Sequence, residues 1–311
     1  MTTGGQDEQR RRAADAGGGL DPATQAFVAH RSLLFTVAYE ILGSAADAED
    51  VLQETWLKWV EVDLDTVRNQ RAYLVRIATN QALVRLRVLG RRRESYVGAW
   101  LPAPLLTTPD VADDAELADS VSMAMLLVLE TLAPVERAVF VLRTVFAFDY
   151  DEIAAAVHKR PDAVRQIAHR AATHVAARRP HSTASSAEAR RALEAFRVAV
   201  QTGQMQGLLN LLAPDVVLLG DGGGVKDAVA RPIVGADKVG RLLVAAVTRI
   251  AGVASLQPAQ VNGAPAMVLR VDGEVDTVLA VRIDHGLVSA LYGVRNPAKL
   301  THMQREIRLQ R

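Results

Sequence analysis

Cysteine is absent from the sequence. That removes disulfides, thiolate nucleophiles and cysteine-ligated zinc or iron–sulfur sites together, and it fits a reducing compartment. Metal chemistry would have to come from histidine and carboxylate, yet the seven histidines show no HExxH or comparable ligand spacing. No metal or cofactor is therefore expected. No window reaches the roughly 18 uninterrupted apolar residues of a membrane span, the run around Met123 to Leu129 being far too short. The amino-terminal stretch MTTGGQDEQRRRAADAGGGLD carries arginines with no apolar segment behind them. Residues 1–20 are expected to be a disordered tail rather than a signal peptide, and the chain to be cytoplasmic with no membrane partner.

A phosphate-binding loop is missing as well. The stretch LLGDGGGVKDAVARPIVG, Leu218 to Gly235, has three consecutive glycines, Gly222, Gly223 and Gly224, and then Lys226. A P-loop needs four residues between its glycines, then Lys and Ser/Thr opening a helix. Here Asp227 follows the lysine, where it would repel phosphate, and apolar alternation resumes through Val229 and Ile233. DGGG reads as a tight turn in a long hairpin, its glycines supplying positive backbone dihedrals or close approach to another part of the protein. The second use would make the turn a docking surface.

What is present is charge in blocks. The formal net charge is only +1, but residues 40 to 65 carry eight acidic side chains against Lys58 alone, and residues 68 to 93 carry eight arginines and no acid. Such blocks serve either two partners, one electropositive and one polyanionic, or two ordinary solvated faces.

With 311 residues the chain accommodates two or three modules. Apolar residues recur at helical spacing from Pro22 to Leu89, predicting three or four helices over 21–93, with a stop at Gly43 and a start near Ser44 or Asp47. Residues 94–118 are proline-rich and read as a tether, in which AWLPAP could stick to something through Trp100 and Leu101. A second helical module is expected over 119–180 and a short linker over 181–187. From 188 two helices precede a valine- and glycine-rich region with strands expected at 216–220, 226–233, 253–261, 264–271, 274–284 and 287–294. One intervening helix is expected at 236–250, and a C-terminal tail at 301–311. VNGAP, VDGEV and DHGLV are hairpin turns. The fold class is multidomain, with two all-α modules followed by an α+β domain.

Within the second module three short helices can be placed. Pro134 to Arg143 forms one. Asp149 to Val157 forms the next, with Glu152 completing a capping box, and Pro161 opens the third. Ile153, Ala154, Val157, Val164, Ile167 and Ala168 would close a small core. The outward face would then present Lys159, Arg160, Arg165, Gln166, His169 and Arg170, a set suited to major-groove docking, although two small helices with a charged face also occur in proteins that never meet DNA.

In this order and spacing the chain resembles the extracytoplasmic-function bacterial RNA polymerase sigma factors. LLFTVAYEILGSAADAEDVLQETWLKW looks like the first part of their region two, which grips the polymerase clamp. NQRAYLVRIATNQALVRLR looks like its second part, which melts and reads the minus-ten element, and Leu132 to Val175 looks like region four, which reads the minus-thirty-five element. The resemblance implies core polymerase, through the beta' clamp and beta flap, and promoter DNA as partners. It implies polymerase contacts at Asp47, Asp50, Glu54 and Trp56, and minus-ten contacts at Arg76, Asn80, Arg85 and Arg87. Tyr73 and Trp56 also fit a core role.

WLPAP (Trp100, Leu101, Pro102, Ala103, Pro104), DGGG (Asp221 to Gly224) and NPAKL (Asn296, Pro297, Ala298, Lys299, Leu300) resemble the subgroup with a fused C-terminal SnoaL-like, NTF2-like cone. That subgroup usually has an acid where Ala103 stands and a lysine directly after the glycines, where Val225 intervenes here. The resemblance implies an autoregulatory domain over 188–300 that replaces a separate anti-sigma protein and is not an enzyme. The alternative is a small-molecule isomerase, hydrolase or ligand sensor, for which Asp276 would be the candidate acid or base if it faced a cavity.

Overall fold

The computed structural model describes residues 20–108, 110–111, 114–179, 186–249 and 254–311. The expected amino-terminal tail and most of the expected second linker lie outside the described residues.

The first helices begin and end where local chemistry dictates. Helix α1, Pro22–Leu42, is capped by the Asp21 carboxylate, which accepts from Thr24 N, and it stops at Gly43 in the left-handed region. Helix α2, Ala45–Trp59, is capped by Ser44, and α3, Gln70–Glu94, by Asn69. Every residue of α1 from Leu33 to Leu42 is buried. A helix covered on all sides must have neighbours on all sides, and α2 and α3 supply only part of that cover.

Much of the rest comes from the second helical segment: α4 Ala115–Val121, α5 Met123–Leu129, α6 Pro134–Phe140, α7 Tyr150–Val157 and α8 Pro161–Ala176. A π turn over Val141–Val145 continues α6 past the expected helix end. The Asp149 and Glu152 capping box starts α7, and Pro161 occupies the first turn of α8. Buried side chains of both segments, from Phe27 through Leu74 to Phe140, Ile153 and Val175, form one continuous apolar cluster. The two modules, which the sequence reads as separate helical bundles joined by a tether, share a core. The apolar faces that each short bundle leaves uncovered are closed by the other.

The connection between them is packed, and Leu101 is one of the two residues expected to make its contact. Residues 101–105 are buried, Leu101 and Leu105 completely, and each of these leucines stabilises the assembly by roughly 2 kcal/mol.

Helices α9, Ser186–Thr202, and α10, Met205–Leu211, lead into strand β1, Leu212–Asp221. Then come β2 Ile233–Val234, α11 Ala236–Arg249, β3 Ala254–Val261, β4 Ala264–Val271, β5 Glu274–Asp284 and β6 Leu287–Val294. The sheet order is β2-β1-β6-β5-β4-β3, with β1 and β6 parallel and the other pairs antiparallel. The strand expected at 226–233 shrinks to two residues. Gly222 O accepts from both Val225 N and Lys226 N in a closed turn, and Pro232 has no N–H to give a ladder. The three hairpin turns pair positive-φ residues, Asn262 with Gly263, Asp272 with Gly273 and His285 with Gly286.

One face of the sheet packs on α9, α10 and α11 through Phe196, Leu208, Val239, Met267 and Leu291. The opposite face takes Leu101 from the proline-rich connection and Met123 from α5, with Leu300 and Met303 from the short helix α12, Pro297–Leu300, and the turn after it. The sheet is thus the middle layer between its own helices and the sigma-like helical unit.

Candidate nucleic-acid interface and the seam around it

On α8 the buried face is Val164, Ile167, Ala168, Ala171 and Val175. That burial turns Arg165, Gln166, His169 and Arg170 outward together, and Lys159 and Arg160 precede them in the exposed turn after His158, which is left-handed at φ 53°. Arg165 is held lightly, by Asp162 at 2.7 Å and over the Tyr150 ring at 5.5 Å. Four donor-rich side chains on one exposed helical face, with Lys159 and Arg160 in the turn before it, can reach base edges and phosphates in a major groove.

The expected minus-ten and polymerase residues meet each other. Arg85, on α3, donates from Nε to Asp47 Oδ1 at 2.6 Å, pairs through Nη2 with Asp50, and lies 3.5 Å through Nη1 from Glu54 Oε1. Gln81 Nε2 holds the other Glu54 oxygen at 2.8 Å. Burial opposes the charge on Arg85, but the Asp47 hydrogen bond and the three carboxylates outweigh it and raise its pKa. The acidic and basic blocks are therefore partly neutralised across the α2–α3 groove, rather than forming two independent faces.

Arg76 lies over the Tyr73 ring at 4.3 Å, Asn80 donates back to Arg76 O at 2.9 Å, and Arg87 is exposed. Trp56 packs on Phe27 with ring centroids 5.2 Å apart and Tyr73 on Trp59 at 5.9 Å, so both aromatics belong largely to the core. The start of α3 is also covered by the helix-turn-helix: Arg71 lies 4.4 Å over the Phe148 ring, and Asn69 donates to Glu152 at 3.4 Å.

The expected interdomain residues converge. Asp221, fully buried, accepts from Tyr96 Oη at 2.6 Å, Leu101 N at 2.9 Å, Gly223 N at 3.0 Å and Lys299 Nζ at 2.7 Å. Lys299 Nζ also donates to Leu101 O at 2.6 Å, and Asn296 Nδ2 to Tyr96 Oη at 2.7 Å. The Trp100 ring carries two cations, Arg93 at 3.7 Å and Lys299 at 4.2 Å from its centroid. Burial pulls Lys299 down to about 8 against the opposing pull of Asp221.

Close approach is what the glycines supply. A Cβ on Gly222 would lie 1.9 Å from Lys226 O, and one on Gly223, at φ 64°, 2.3 Å from the Asn296 amide. Gly224 sits against Val97. The DGGG turn thus meets the linker, and the linker meets the first helices: a Cβ on Gly43 would lie 2.9 Å from Trp100. Pro102 and Leu300 are buried, and Pro297 is exposed in the first turn of α12. At Ala103 no carboxylate is present; its backbone bonds to Gly43 O at 2.9 Å and accepts from Tyr39 Oη at 2.7 Å.

Three further features escaped the sequence reading. The hairpin tip at Asn262 is buried against three segments at once. Its Oδ1 accepts from Leu105 N at 3.0 Å, and its Nδ2 donates to Tyr39 Oη at 2.6 Å and Val121 O at 2.8 Å. The C-terminal residues return to the helical unit: Ile307 N donates to Leu106 O at 2.7 Å, Gln310 N to Thr36 Oγ1 at 3.1 Å, and Leu309 enters the shared core. The alternation Ile307–Arg308–Leu309–Gln310 was the available signal. Between the two helical segments, Glu130 pairs with both Arg93 and the buried Arg137, whose Nε donates to Glu40 O at 3.0 Å.

Asp276, the candidate acid or base, is buried. It is matched by Lys226 Nζ at 2.7 Å and Arg295 Nη2 at 3.0 Å, and although burial opposes its charge these partners hold its pKa below the ordinary carboxyl value. Among the described residues, no cluster of three metal-ligating side chains occurs and no helix is long and apolar enough to cross a membrane.

A helix-turn-helix with a cationic outward face, built into a helical unit that an α+β domain packs against, has the architecture of a transcription protein of the DNA-binding class. Residues 26–92 match Sigma-70 region 2, and residues 122–175 match Sigma-70, region 4. The chain is 34% identical over 288 residues to the ECF RNA polymerase sigma factor SigJ of Mycobacterium tuberculosis, covering 88% of this chain and 92% of the relative. It is 30% identical to the probable ECF RNA polymerase sigma factor SigI of that species, covering 92% and 98%. The crystal structure of SigJ superposes with a TM-score of 0.71 at 31% identity, over 90% of this chain and 98% of that one. The chain belongs to the ECF RNA polymerase sigma factors, with a SnoaL-like C-terminal domain. As a sigma factor it serves core RNA polymerase and promoter DNA.

Proposed function

We propose that the arrangement described is the resting form of this sigma factor, held closed by its own C-terminal domain and opened by core polymerase. The observation that carries this reading is the single core shared by region 2 and region 4. A compact unit of about 160 residues has a radius of gyration of about 15 Å, hence a diameter near 40 Å. The minus-ten and minus-thirty-five elements lie about 25 base pairs apart, about 85 Å along the duplex. A unit packed on one core cannot read both. Since the reading face of α8 is exposed, suppression acts through spacing rather than by covering that helix.

In this reading Asp47, Asp50, Glu54 and the exposed part of Trp56 meet the polymerase clamp. Arg76, Asn80, Arg85 and Arg87 serve the minus-ten strand, and the α8 set serves the minus-thirty-five element. Residues 188–300 act in the cytoplasm as a built-in inhibitor in place of a separate anti-sigma protein, without catalysing a reaction; the saturated Asp276 and the apolar cone interior support that part. Closure suppresses initiation only to the extent that its contacts exist in one state and not the other.

The absence of cysteine makes the test direct. Leu57→Cys on α2 and Ala172→Cys on α8, both at exposed positions, take a donor and an acceptor dye. Their separation should grow by tens of ångströms when core polymerase is added. An unchanged separation in a transcribing holoenzyme would refute the proposal.

A further inference from the structure

Arg85 sits where two functions of region 2 overlap. Its guanidinium holds Asp47, Asp50 and Glu54, three carboxylates from successive turns of α2. Those carboxylates are the polymerase-facing set, and the guanidinium belongs to the minus-ten set. The four cannot serve both purposes at once. An arginine that spends its donors on carboxylates has few left for phosphate or base, and carboxylates matched by an internal cation attract an external one less.

Accessibility makes exchange feasible. The Asp50 and Glu54 side chains are 47% and 45% exposed, whereas that of Asp47 is 16% exposed. An incoming cation therefore meets the outer two acids first and leaves Asp47 as the inner anchor. Beside them lies a crevice of about 220 Å³ lined by Gln81, Val84, Val88 and Leu89 together with Asp47, Glu54 and Arg85. Val84 and Val88 are more than half exposed, so neither helix closes the groove over the guanidinium.

We propose that Arg85 is a positioning residue that couples the two surfaces: in free protein it neutralises the polymerase-binding carboxylates, and basic groups of the polymerase clamp displace it and release it to the minus-ten strand. The inference rests on the assignments in the preceding subsection. Linkage makes the effect reciprocal, so minus-ten DNA that captures Arg85 tightens the hold of polymerase on the same carboxylates.

The test uses the full chain and two readouts, affinity for core polymerase and binding of the resulting holoenzyme to a fork-junction oligonucleotide carrying only the minus-ten element. Arg85→Gln removes the internal competitor, so core affinity should rise about fivefold, while fork-junction binding falls. A structural role alone moves both downward, and a drop in core affinity for Arg85→Gln overturns the proposal. So does an unchanged core affinity. Arg85→Lys, which keeps the charge but loses the fork that engages several carboxylates, should shift core affinity in the same direction by less, and it serves if the glutamine variant folds poorly. Asp50→Asn with Glu54→Gln separates the underlying assignment: unchanged core affinity in that variant refutes the polymerase surface itself, whereas a loss there with no gain in Arg85→Gln refutes only the coupling.

Discussion

Replacing Asn262 by glycine should open the seam, and the size of the effect can be worked from the three hydrogen bonds of its side chain. The residue sits at φ 54° in a hairpin turn, a conformation glycine adopts freely, so the substitution leaves the hairpin intact. It deletes the acceptor for Leu105 N and the donor to Val121 O, both in fully buried residues. Tyr39 Oη loses Asn262 but keeps Ala103 O. Two orphaned backbone groups cost roughly 1–3 kcal/mol each, about 3 kcal/mol in all. In the open form water satisfies both, so the cost falls on the closed state alone. That shifts the equilibrium toward the open form by roughly a hundredfold. The doubly labelled Leu57/Ala172 chain should show an increased dye separation before polymerase is added, and run-off transcription at limiting polymerase should rise. A folded Asn262→Gly chain with wild-type separation and wild-type output would refute the view that the hairpin tip pins region 2, the linker and region 4.

Other outcomes are equally defined. Glu40 is fully buried, with Oε1 accepting from Ser120 at 2.9 Å, and burial, opposed by Ser120 and Arg137, pushes its pKa from 4.5 up to about 8. The folded chain keeps a proton that the unfolded chain releases between those values, so this group's stabilisation is complete below pH 4.5 and lost as pH rises toward 8. Thermal melts should therefore show Glu40→Gln gaining on the wild type by several degrees between pH 5 and 8; parallel curves would contradict it. Stopping the chain after Glu306 removes the Leu309 anchor, worth roughly 2 kcal/mol, and should raise run-off output while lowering the melting temperature. Arg165→Ala with Arg170→Ala should cut minus-thirty-five protection at least tenfold in footprinting, with core affinity unchanged.

Local chemistry was legible wherever a residue acts on its own few neighbours. Gly43, Ser44, Asp149 and Pro161 mark helix ends because capping needs only the adjacent turn. The three hairpin turns read correctly because a left-handed pair is a local requirement. The meeting of Trp100, Asp221 and Lys299 could be expected only through the family pattern; nothing in spacing brings residues so far apart in sequence together. Asn262 read as a hairpin tip and no more, since its polar side chain suits solvent as well as a buried seam. Residue 226 opened an apparent strand because alternation through Val229 and Ile233 carries no information about the turn at Gly222.

By itself, then, the order of residues determined most of the helices and strands, the caps and turns that bound them, and which cations line the outward face of α8, because these follow from periodicity and caps within a few residues. Tertiary structure alone decided that the two helical modules share one core, that the proline-rich connection is buried, and that Arg85 faces three carboxylates. Those outcomes depend on which apolar faces find each other and on where a charge finds its partner once water is excluded, and both are set by residues tens to hundreds of positions apart.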